Sequence, residues 1–282
     1  MSKLSLVSDG SDSRYDSPMP PISLSDAREA LVAAGITGPH QSHTRRNALM
    51  KIRAMVSGED EESRFGLSGL TTYEPAEVLA FMAELTGCSD EMDDFSGYDV
   101  MDPAKTVDAI VAGAQRLKTE AEKGSTLLCC TGHPTGVLEH HIRVLDAYRS
   151  AGGKVVVLHE DADLGIRRRH SEIRYIGGVG VLADWGQLMH THSSEPMEAL
   201  LDAEPHPDFV IGDHGFAGAA IERGIPTLAV MDINDPALAV AWAEGKDVAI
   251  VPMDDNRPPR LYEPSWRLFE DVLGGTEPDT YV

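Results

Sequence analysis

From residue 125 onward, short apolar runs alternate with segments of helical periodicity. The apolar runs, each long enough for a buried strand, lie at residues 126–130, 154–159, 176–183, 208–211, 226–231 and 247–252. The helical segments that separate most of them lie at residues 136–150, 195–203, 216–223 and 236–244. Buried strands that alternate with helices are typical of a parallel sheet covered on both faces. The sequence therefore predicts an α/β fold with a doubly wound, mostly parallel, Rossmann-like sheet.

Residues 22–124 show helical patterns without a comparable series of strand-like runs. Serine and threonine are good helix N-caps and proline is well tolerated in the first turn, so these residues mark the expected helix starts. Four helices are expected, beginning near Ser25, Thr44, Pro75 and Pro103. We therefore expect a helical N-terminal region that is either a cap or part of the same domain, followed by an α/β domain at residues 125–282 that carries the site.

Residues 1–21 are rich in Ser, Asp and Pro and offer little to bury, so a flexible arm is expected there. They lack the apolar core of a signal peptide, and no apolar run approaches the roughly 20 residues that cross a bilayer. The three cysteines, Cys88, Cys129 and Cys130, show neither a zinc-binding spacing nor a disulfide framework. We expect them to be small buried hydrophobes in a cytoplasmic protein.

The chain carries 46 acidic side chains against 24 Lys and Arg, which is a formal net charge of −22 in 282 residues. A field of this sign repels polyanions, so DNA, RNA and anionic membranes are not expected as partners. A small anionic substrate is compatible with the charge if local cations or a metal ion offset the field. A homo-oligomer is also compatible with the sequence.

The first predicted strand ends in the segment TGHPTG (residues 131–136), and a helix follows at once. In doubly wound sheets, ligands bind beyond the carboxyl ends of the strands. The glycines permit close backbone approach, and helix-start amides together with threonine hydroxyls can bind an anion. Four residues of the segment are candidate phosphate-binding residues: Thr131, Gly132, Thr135 and Gly136. His133 is a candidate general acid, and an ordinary turn with an incidental histidine is the alternative.

Two further predicted strands are followed by aspartates. One is followed by Asp213 and His214 within a GDHGFAG segment, and a carboxylate beside an imidazole suits metal ligation or acid–base catalysis. The next strand is followed by Asp232 and Asp235, and oxygen ligands in this pattern suit Mg²⁺ or Mn²⁺. We expect Asp213 and His214 to be catalytic, and the three aspartates to hold a divalent metal. Helix capping is the alternative role for Asp213 and Asp235.

An HTHSS segment places two histidines at alternate positions. In an extended segment His190 and His192 point to the same side, because the side-chain period of a strand is two. Two imidazoles on one side could bind a metal or a phosphate, and Ser193 adds a hydroxyl group. We assign all three residues to phosphate binding, with solvated histidines at a strand end as the alternative.

Arg45 and Arg46 precede Asn47 at the expected start of the second helix. The helix dipole disfavours cations there, so another role is expected for them. Guanidinium groups hold phosphate or carboxylate in a bidentate manner. All three residues are therefore candidate phosphate-binding residues, with a solvated helix face as the alternative. A second arginine run, at residues 167–169, is expected to form a charged surface loop.

Taken together and in order, the TGHPTG, HTHSS, GDHGFAG and DINDPA segments resemble a family of actinobacterial proteins that are named generically "phosphatase". The likeness covers most of residues 22–262. It extends to Arg46 with Asn47, to Gly66 with Leu67, and to residues 252–255. The resemblance implies phosphate-ester chemistry, while the residue roles given above come from the residues themselves.

These observations predict a cytosolic phosphatase that hydrolyses the phosphomonoester of a small metabolite, such as a sugar phosphate, with the help of a divalent metal. The chain lacks the sequence signatures of aspartate-nucleophile, cysteine-nucleophile and phosphohistidine phosphatases, so this mechanism is inferred by elimination. One alternative is a transferase, lyase or isomerase that uses the same anion site for a carboxylate or a nucleotide. Another is a non-catalytic metabolite-binding regulatory module.

Overall fold

A computed structural model describes residues 20–160, 162–166, 170–202 and 206–275. Most of the expected N-terminal arm and the arginine run at residues 167–169 lie outside the described residues. The α-helices of the described part are α1 (Leu24–Ala34), α2 (Arg45–Ser57), α3 (Pro75–Thr86), α4 (Pro103–Lys123), α5 (Leu138–Ser150), α6 (Glu195–Leu201), α7 (His214–Glu222), α8 (Pro236–Ala243) and α9 (Glu263–Leu273). The strands are β1 (Gly38–Pro39), β2 (Val100–Met101), β3 (Thr126–Thr131), β4 (Lys154–Val155), β5 (Glu172–Ile176), β6 (Val179–Asp184), β7 (Gln187–Leu188), β8 (Phe209–Gly212), β9 (Thr227–Met231) and β10 (Val248–Pro252).

The main sheet confirms the prediction of a mostly parallel architecture. Its strand order is β10-β9-β8-β3-β6-β5, with β4 beside the start of β3 and β7 beside β6. Strand β3 pairs in parallel with β4 and β6 on one side and with β8 on the other, and β8, β9 and β10 continue in parallel. After β3 the chain therefore adds β4 to β7 on one side of this strand, and it then crosses over to add β8, β9 and β10 on the other side. Such a topological switch point is where open α/β sheets bind ligands.

Alternate side chains of the sheet pack on opposite faces, so the sheet is covered on both sides. Leu127 and Cys129 join a cluster with helices α1, α4, α5 and α9, whereas Leu128 and Cys130 join one with α6 and α7. Side chains of α2 and α3 pack with β9 and α8. The helices of the N-terminal region thus share hydrophobic clusters with the sheet. All three cysteines are buried and free, as expected for small hydrophobes.

Two details of the sheet differ from the sequence-based expectation. The run at residues 176–183 is not one strand, because Gly177 and Gly178 adopt φ angles of 61° and 94° and form the turn between the antiparallel strands β5 and β6. Of the run at residues 154–159, only Lys154 and Val155 form a strand. Within the described ranges, no helix is both long and apolar enough to cross a bilayer.

Candidate active site

Five buried aspartates meet where the parallel strands end. Asp213 follows β8, Asp232 and Asp235 follow β9, and Asp254 and Asp255 follow β10. Each is at most 1% exposed. In the part of the chain that the structure describes, they approach histidines and none forms an ion pair with Lys or Arg. The site therefore concentrates negative charge out of contact with water.

The first group of converging side chains consists of His40, Asp232 and Asp254. The Nε2 atom of His40 lies 2.6 Å from Oδ1 of Asp232, and its Nδ1 atom lies 3.6 Å from Oδ2 of Asp254. One ligand atom from each of the three residues lies within 4.8 Å of the others. His43, three residues further along the chain, has its Nε2 atom 3.6 Å from Oδ2 of Asp232. Buried carboxylates and imidazoles at such separations can share a cation.

The second group consists of His214, Asp235 and Asp255. The Nε2 atom of His214 lies 3.1 Å from Oδ2 of Asp255 and 3.6 Å from Oδ2 of Asp235. The amide of Asp232 donates to Oδ2 of Asp235 over 3.0 Å, so the two groups are adjacent. His214 adopts a φ of 44°, in the left-handed region that non-glycine residues rarely occupy. Its backbone is therefore strained, as is common at functional sites.

The five aspartates and the first two groups together form the buried centre of the site. A third group, formed by His133, His190 and His214, shares His214 with the second group. The rings of His133 and His190 stack with their centroids 4.5 Å apart. His133 also approaches Asp255, with 3.2 Å between Nδ1 and Oδ1. His190 is exposed, and its Nε2 atom lies 3.1 Å from Nε2 of His192. The two histidines of the HTHSS segment thus lie on the same side, as their spacing predicts.

Asp213 has a different environment from the other four aspartates. Its Oδ2 atom accepts a hydrogen bond of 2.5 Å from the Thr131 hydroxyl, and its Oδ1 atom accepts one of 2.7 Å from the Gly132 amide. His141 and His214 each approach it to 3.5 Å. Among the described residues, no group of potential metal ligands includes Asp213. Contrary to the expectation that it is a ligand, its carboxylate is held by Thr131 and Gly132 and faces the rings of His141 and His214 without a well-aligned hydrogen bond to either.

The TGHPTG segment also differs from the expected phosphate cradle. The Gly132 amide donates to Asp213, and the Gly136 amide donates to the carbonyl of His133. A Cβ atom on Gly132 would lie 2.2 Å from the Thr191 carbonyl oxygen, and one on Gly136 would lie 1.9 Å from the Asp255 carbonyl oxygen. The glycines therefore allow backbone segments to pack closely. Their amides already have partners within the chain and are not free to bind a phosphate.

The side chains of the two expected phosphate-binding threonines point to different environments. The Thr131 hydroxyl is buried and donates its hydrogen bond to Asp213, so it is not available to a phosphate. Thr135 is exposed. Ser193 accepts a hydrogen bond of 3.2 Å from the Glu195 amide at the start of α6. Of these three hydroxyl groups, only the one on Thr131 contacts the aspartates of the centre.

The predicted phosphate-binding role of Arg45 conflicts with its contacts. Arg45 is 3% exposed and its Nη1 atom lies 2.6 Å from Oδ1 of Asp99. The guanidinium also donates to the backbone carbonyls of Ser89, Glu91 and Asp94. These contacts anchor the start of α2 to the loop before β2, which explains a cation where the helix dipole disfavours one.

Arg46 and Asn47 do not join the aspartates either. Arg46 is exposed, with its guanidinium carbon 6.0 Å from the centre of the Phe95 ring. The Asn47 amide donates to the Thr44 hydroxyl, which caps α2, while its side-chain Oδ1 atom is buried without a hydrogen bond to a described residue.

Burial and mutual repulsion shift the ionisation of the centre. Burial raises the pKa of Asp232 well above its usual value, and the charge of Asp255 raises it further. Burial also raises the pKa of Asp235, to about 7, although His214 opposes the shift. Burial opposes protonation of His214, but the charges of Asp235 and Asp255 outweigh it and raise the pKa of His214 to about 10. Protons thus partly offset the excess negative charge.

The sequence patterns did not identify three members of the first two groups, His40, Asp254 and Asp255. They also did not identify His43, which lies beside Asp232. The rule that found Asp213 and Asp232 also applies to β10, whose end is followed by the two missed aspartates. His40 and His43 follow the two-residue strand β1, which has no recognisable sequence pattern. They reach the centre only through tertiary contacts.

The fold and this centre define an α/β protein with a buried aspartate- and histidine-rich site at the switch point of a parallel sheet. A family model described as "Phosphatase" matches residues 22–272. A Streptomyces coelicolor protein named Phosphatase SCO2771 is 36% identical over an alignment of 249 residues, and the match covers 86% of this chain and 93% of that protein. The chain therefore belongs to the Phosphatase family and is a phosphatase, which confirms the resemblance seen in its motifs.

Proposed function

We propose that this phosphatase hydrolyses the phosphomonoesters of small metabolites in the cytoplasm and that it uses divalent cations to do so. The proposal rests on five aspartates that are at most 1% exposed and, among the described residues, have no Lys or Arg partner. An uncompensated buried charge costs several kcal/mol. Bound cations would offset this cost. They would also reduce the electrostatic repulsion between the acidic protein and a phosphate group.

The donor atoms of the centre fit such cations. Oδ2 of Asp232, Oδ1 of Asp235 and Oδ2 of Asp255 are buried and make no well-aligned hydrogen bond within the described part of the chain. His40, Asp232 and Asp254 would hold one cation. The second group, His214, Asp235 and Asp255, would hold another. Because both sets mix imidazole nitrogen with carboxylate oxygen, Mn²⁺ is a better match than Mg²⁺, which prefers oxygen ligands.

When bound, divalent cations polarise a phosphoryl group and lower the pKa of water at the site. The protein supplies the orientation of the ligands. Asp213, held by Thr131 and Gly132, faces Nδ1 of His214 at 3.5 Å, so it directs the opposite ring nitrogen towards Asp235 and Asp255. We assign Asp213 this positioning role.

His133 is the candidate proton donor for the leaving alcohol. Its Nδ1 atom lies 3.2 Å from Oδ1 of Asp255, and its Nε2 atom lies 3.2 Å from Oδ1 of Asn256. A carboxylate beside one ring nitrogen holds an imidazole in a fixed orientation and stabilises its protonated form. His190 stacks on the ring of His133 and is exposed, so the His133 ring faces the solvent-accessible surface on the His190 side.

The volume of a cavity near the centre is consistent with a small substrate. A cavity of about 530 Å³ is bordered by His192 and Ser193, and pockets of this size accommodate metabolite-sized ligands. The formal net charge of −22 disfavours phosphorylated polymers.

The proposal is tested with metal-stripped protein. Phosphate release from a panel of phosphorylated metabolites and from p-nitrophenyl phosphate is measured before and after addition of Mn²⁺, Mg²⁺ or Zn²⁺. We expect little release from the stripped protein and recovery with at least one metal. Absence of release from every ester under all conditions would contradict phosphomonoesterase activity, and equal release by stripped and loaded protein would contradict the role of the cations.

A further inference from the structure

Helix α5 carries two adjacent buried histidines that the centre of the site does not include. His140 is 2% exposed and His141 is 1% exposed. Their Nδ1 atoms face each other at 3.3 Å. A polar ring is costly to bury unless its nitrogens have partners, so the contacts of the two remaining nitrogens indicate what the pair does.

The Nε2 atoms of the two rings face different parts of the molecule. Nε2 of His140 lies 2.9 Å from the buried hydroxyl of Ser265 on α9. Nε2 of His141 lies 3.5 Å from Oδ2 of Asp213, and it has no well-aligned hydrogen bond to a described residue. The four side chains thus form a continuous buried row that runs from α9 to the carboxylate that faces His214.

The geometry of this row favours one arrangement of protons. A neutral imidazole has one N–H and one bare nitrogen, so only one of the two facing Nδ1 atoms can donate to the other. A bare Nε2 atom on His141 would repel the carboxylate of Asp213, and the proton of His141 is therefore placed on Nε2. Nδ1 of His141 then accepts from His140, and Nε2 of His140 accepts from the Ser265 hydroxyl.

The two rings and the carboxylate have protonation states that agree with this arrangement. Asp213 accepts at both oxygens, from the Thr131 hydroxyl and from the Gly132 amide, so it faces His141 as an acceptor. Burial lowers the pKa of His140 well below its usual value, and the neighbouring His141 lowers it further. His140 is therefore neutral, and its single proton is donated to His141.

We propose that His141 is a positioning residue for Asp213, and that His140 and Ser265 hold it in the tautomer that donates to this carboxylate. The inference rests on the proposed cation-dependent function, in which Asp213 orients His214. Partners that lie behind metal-binding histidines commonly fix the orientation of the ring and support the affinity for the metal. The buried row therefore connects the packing of α9 with the geometry of a proposed cation ligand.

The test compares two replacements of His141 that have similar shapes. The side-chain amide of His141→Gln can occupy the place of Nε2 and donate to Asp213, whereas the thioether of His141→Met cannot donate. Calorimetry measures Mn²⁺ affinity, and phosphate release from p-nitrophenyl phosphate gives kcat and KM. We expect His141→Met to weaken Mn²⁺ binding and to lower kcat at saturating Mn²⁺ by about tenfold each, which is typical for the loss of one hydrogen bond to a charged group. KM should not change, and His141→Gln should retain most of both quantities.

A second variant and a matched control accompany this pair. His141→Asn keeps a polar side chain, but its shorter amide reaches only as far as Nδ1, so it should lose as much as His141→Met and provides the same comparison if the methionine variant does not fold. The Tyr148 hydroxyl, on the same helix, donates to the Ser125 carbonyl over 2.9 Å. Tyr148→Phe removes this buried hydrogen bond and should lower the melting temperature without changing Mn²⁺ affinity or kcat.

NMR of isotope-labelled histidines gives a readout that does not depend on activity, because nitrogen chemical shifts distinguish a protonated ring nitrogen from a bare one. In the wild type we expect the proton of His141 on Nε2 and that of His140 on Nδ1. The opposite tautomers would overturn the proposed row.

The remaining outcomes separate this inference from the proposed function. If His141→Met and His141→Asn bound Mn²⁺ and turned over like the wild type, the positioning role would be wrong while the phosphatase function stood. An equal loss in His141→Gln and His141→Met would show that donation to Asp213 is not what matters, which also overturns the inference. A wild type that neither binds a divalent cation nor releases phosphate would overturn the proposed function itself, and the inference with it.

Discussion

The backbone amide of Gly132, at the end of β3, donates a hydrogen bond of 2.7 Å to Oδ1 of Asp213, at the end of β8. These residues are 81 positions apart in sequence, and the bond joins two neighbouring strands across the topological switch point. The Thr131 hydroxyl occupies the other carboxylate oxygen. Asp213 is thereby held against His214, and the turn after β3 acts on the site through this aspartate.

We expect Asp213→Asn to lower kcat by about 10- to 100-fold, as is common when a residue that orients a metal-binding imidazole is changed. The asparagine retains the shape but loses the charge and one acceptor. Phosphate release and metal affinity are measured together, with circular dichroism to verify folding. Asp93→Asn, at an exposed position, is the control. Unchanged metal affinity and turnover in Asp213→Asn would contradict the positioning role.

We expect His133→Gln to impair hydrolysis more strongly for alkyl phosphates than for p-nitrophenyl phosphate. A poor leaving group needs a proton as its bond to phosphorus breaks, and loss of a general acid typically costs about 10²–10⁴-fold. The measurement is kcat for both substrates in the variant, the wild type and the exposed-site control His159→Gln. An equal loss for both substrates would exclude His133 as the proton donor.

We expect added Mn²⁺ to raise the melting temperature of metal-stripped protein, because bound cations offset the charge of the buried aspartates. A ligand at 100 times its Kd stabilises a folded protein by about 2.7 kcal/mol. Calorimetry of the wild type is compared with that of a variant carrying both Asp232→Asn and Asp235→Asn, in which the shift should be much smaller. If no divalent metal changed the melting temperature of the wild type, cation binding would be refuted.

We expect Gly136→Ala to destabilise the protein by about 1–3 kcal/mol, since a misfit side chain forces the backbone to shift. Its Cβ atom would lie 1.9 Å from the carbonyl oxygen of Asp255. Gly186→Ala, where nothing lies within 4 Å of the added atom, should change stability by less than about 0.5 kcal/mol. Denaturant unfolding measures both variants. Similar stability of the two would argue against close packing at Gly136.

We expect Arg45→Lys to reduce stability while leaving KM of the folded protein unchanged. Lysine cannot reproduce the planar set of donors that binds Asp99 and three carbonyls. Removing one partner of a buried ion pair outright costs about 3–5 kcal/mol, so the conservative change should cost less than that. Arg46→Lys, at the exposed neighbouring position, should affect neither quantity. An increase in KM without a loss of stability would instead restore the phosphate-binding role that the sequence suggests for Arg45.

Local patterns in the sequence suffice to predict the parallel sheet and part of the site. Apolar runs between helical segments predict buried strands, and polar residues that follow such strands must meet at one edge of the sheet. This reasoning places His133, Asp213 and Asp232 near one another. It needs only local patterns, because periodicity and strand ends are local properties of the chain.

Which of these residues contact each other follows from the packing of distant segments and not from local patterns. His40 contacts Asp232, which lies 192 positions further along the sequence. The Gly132 and Gly136 amides of the turn after β3 donate hydrogen bonds to Asp213 and to the His133 carbonyl. Arg45 is anchored to Asp99. Partners of polar groups depend on which distant segments pack together and on how fully burial removes water. Local sequence patterns carry neither piece of information, so the roles of these polar groups became visible only in the folded chain.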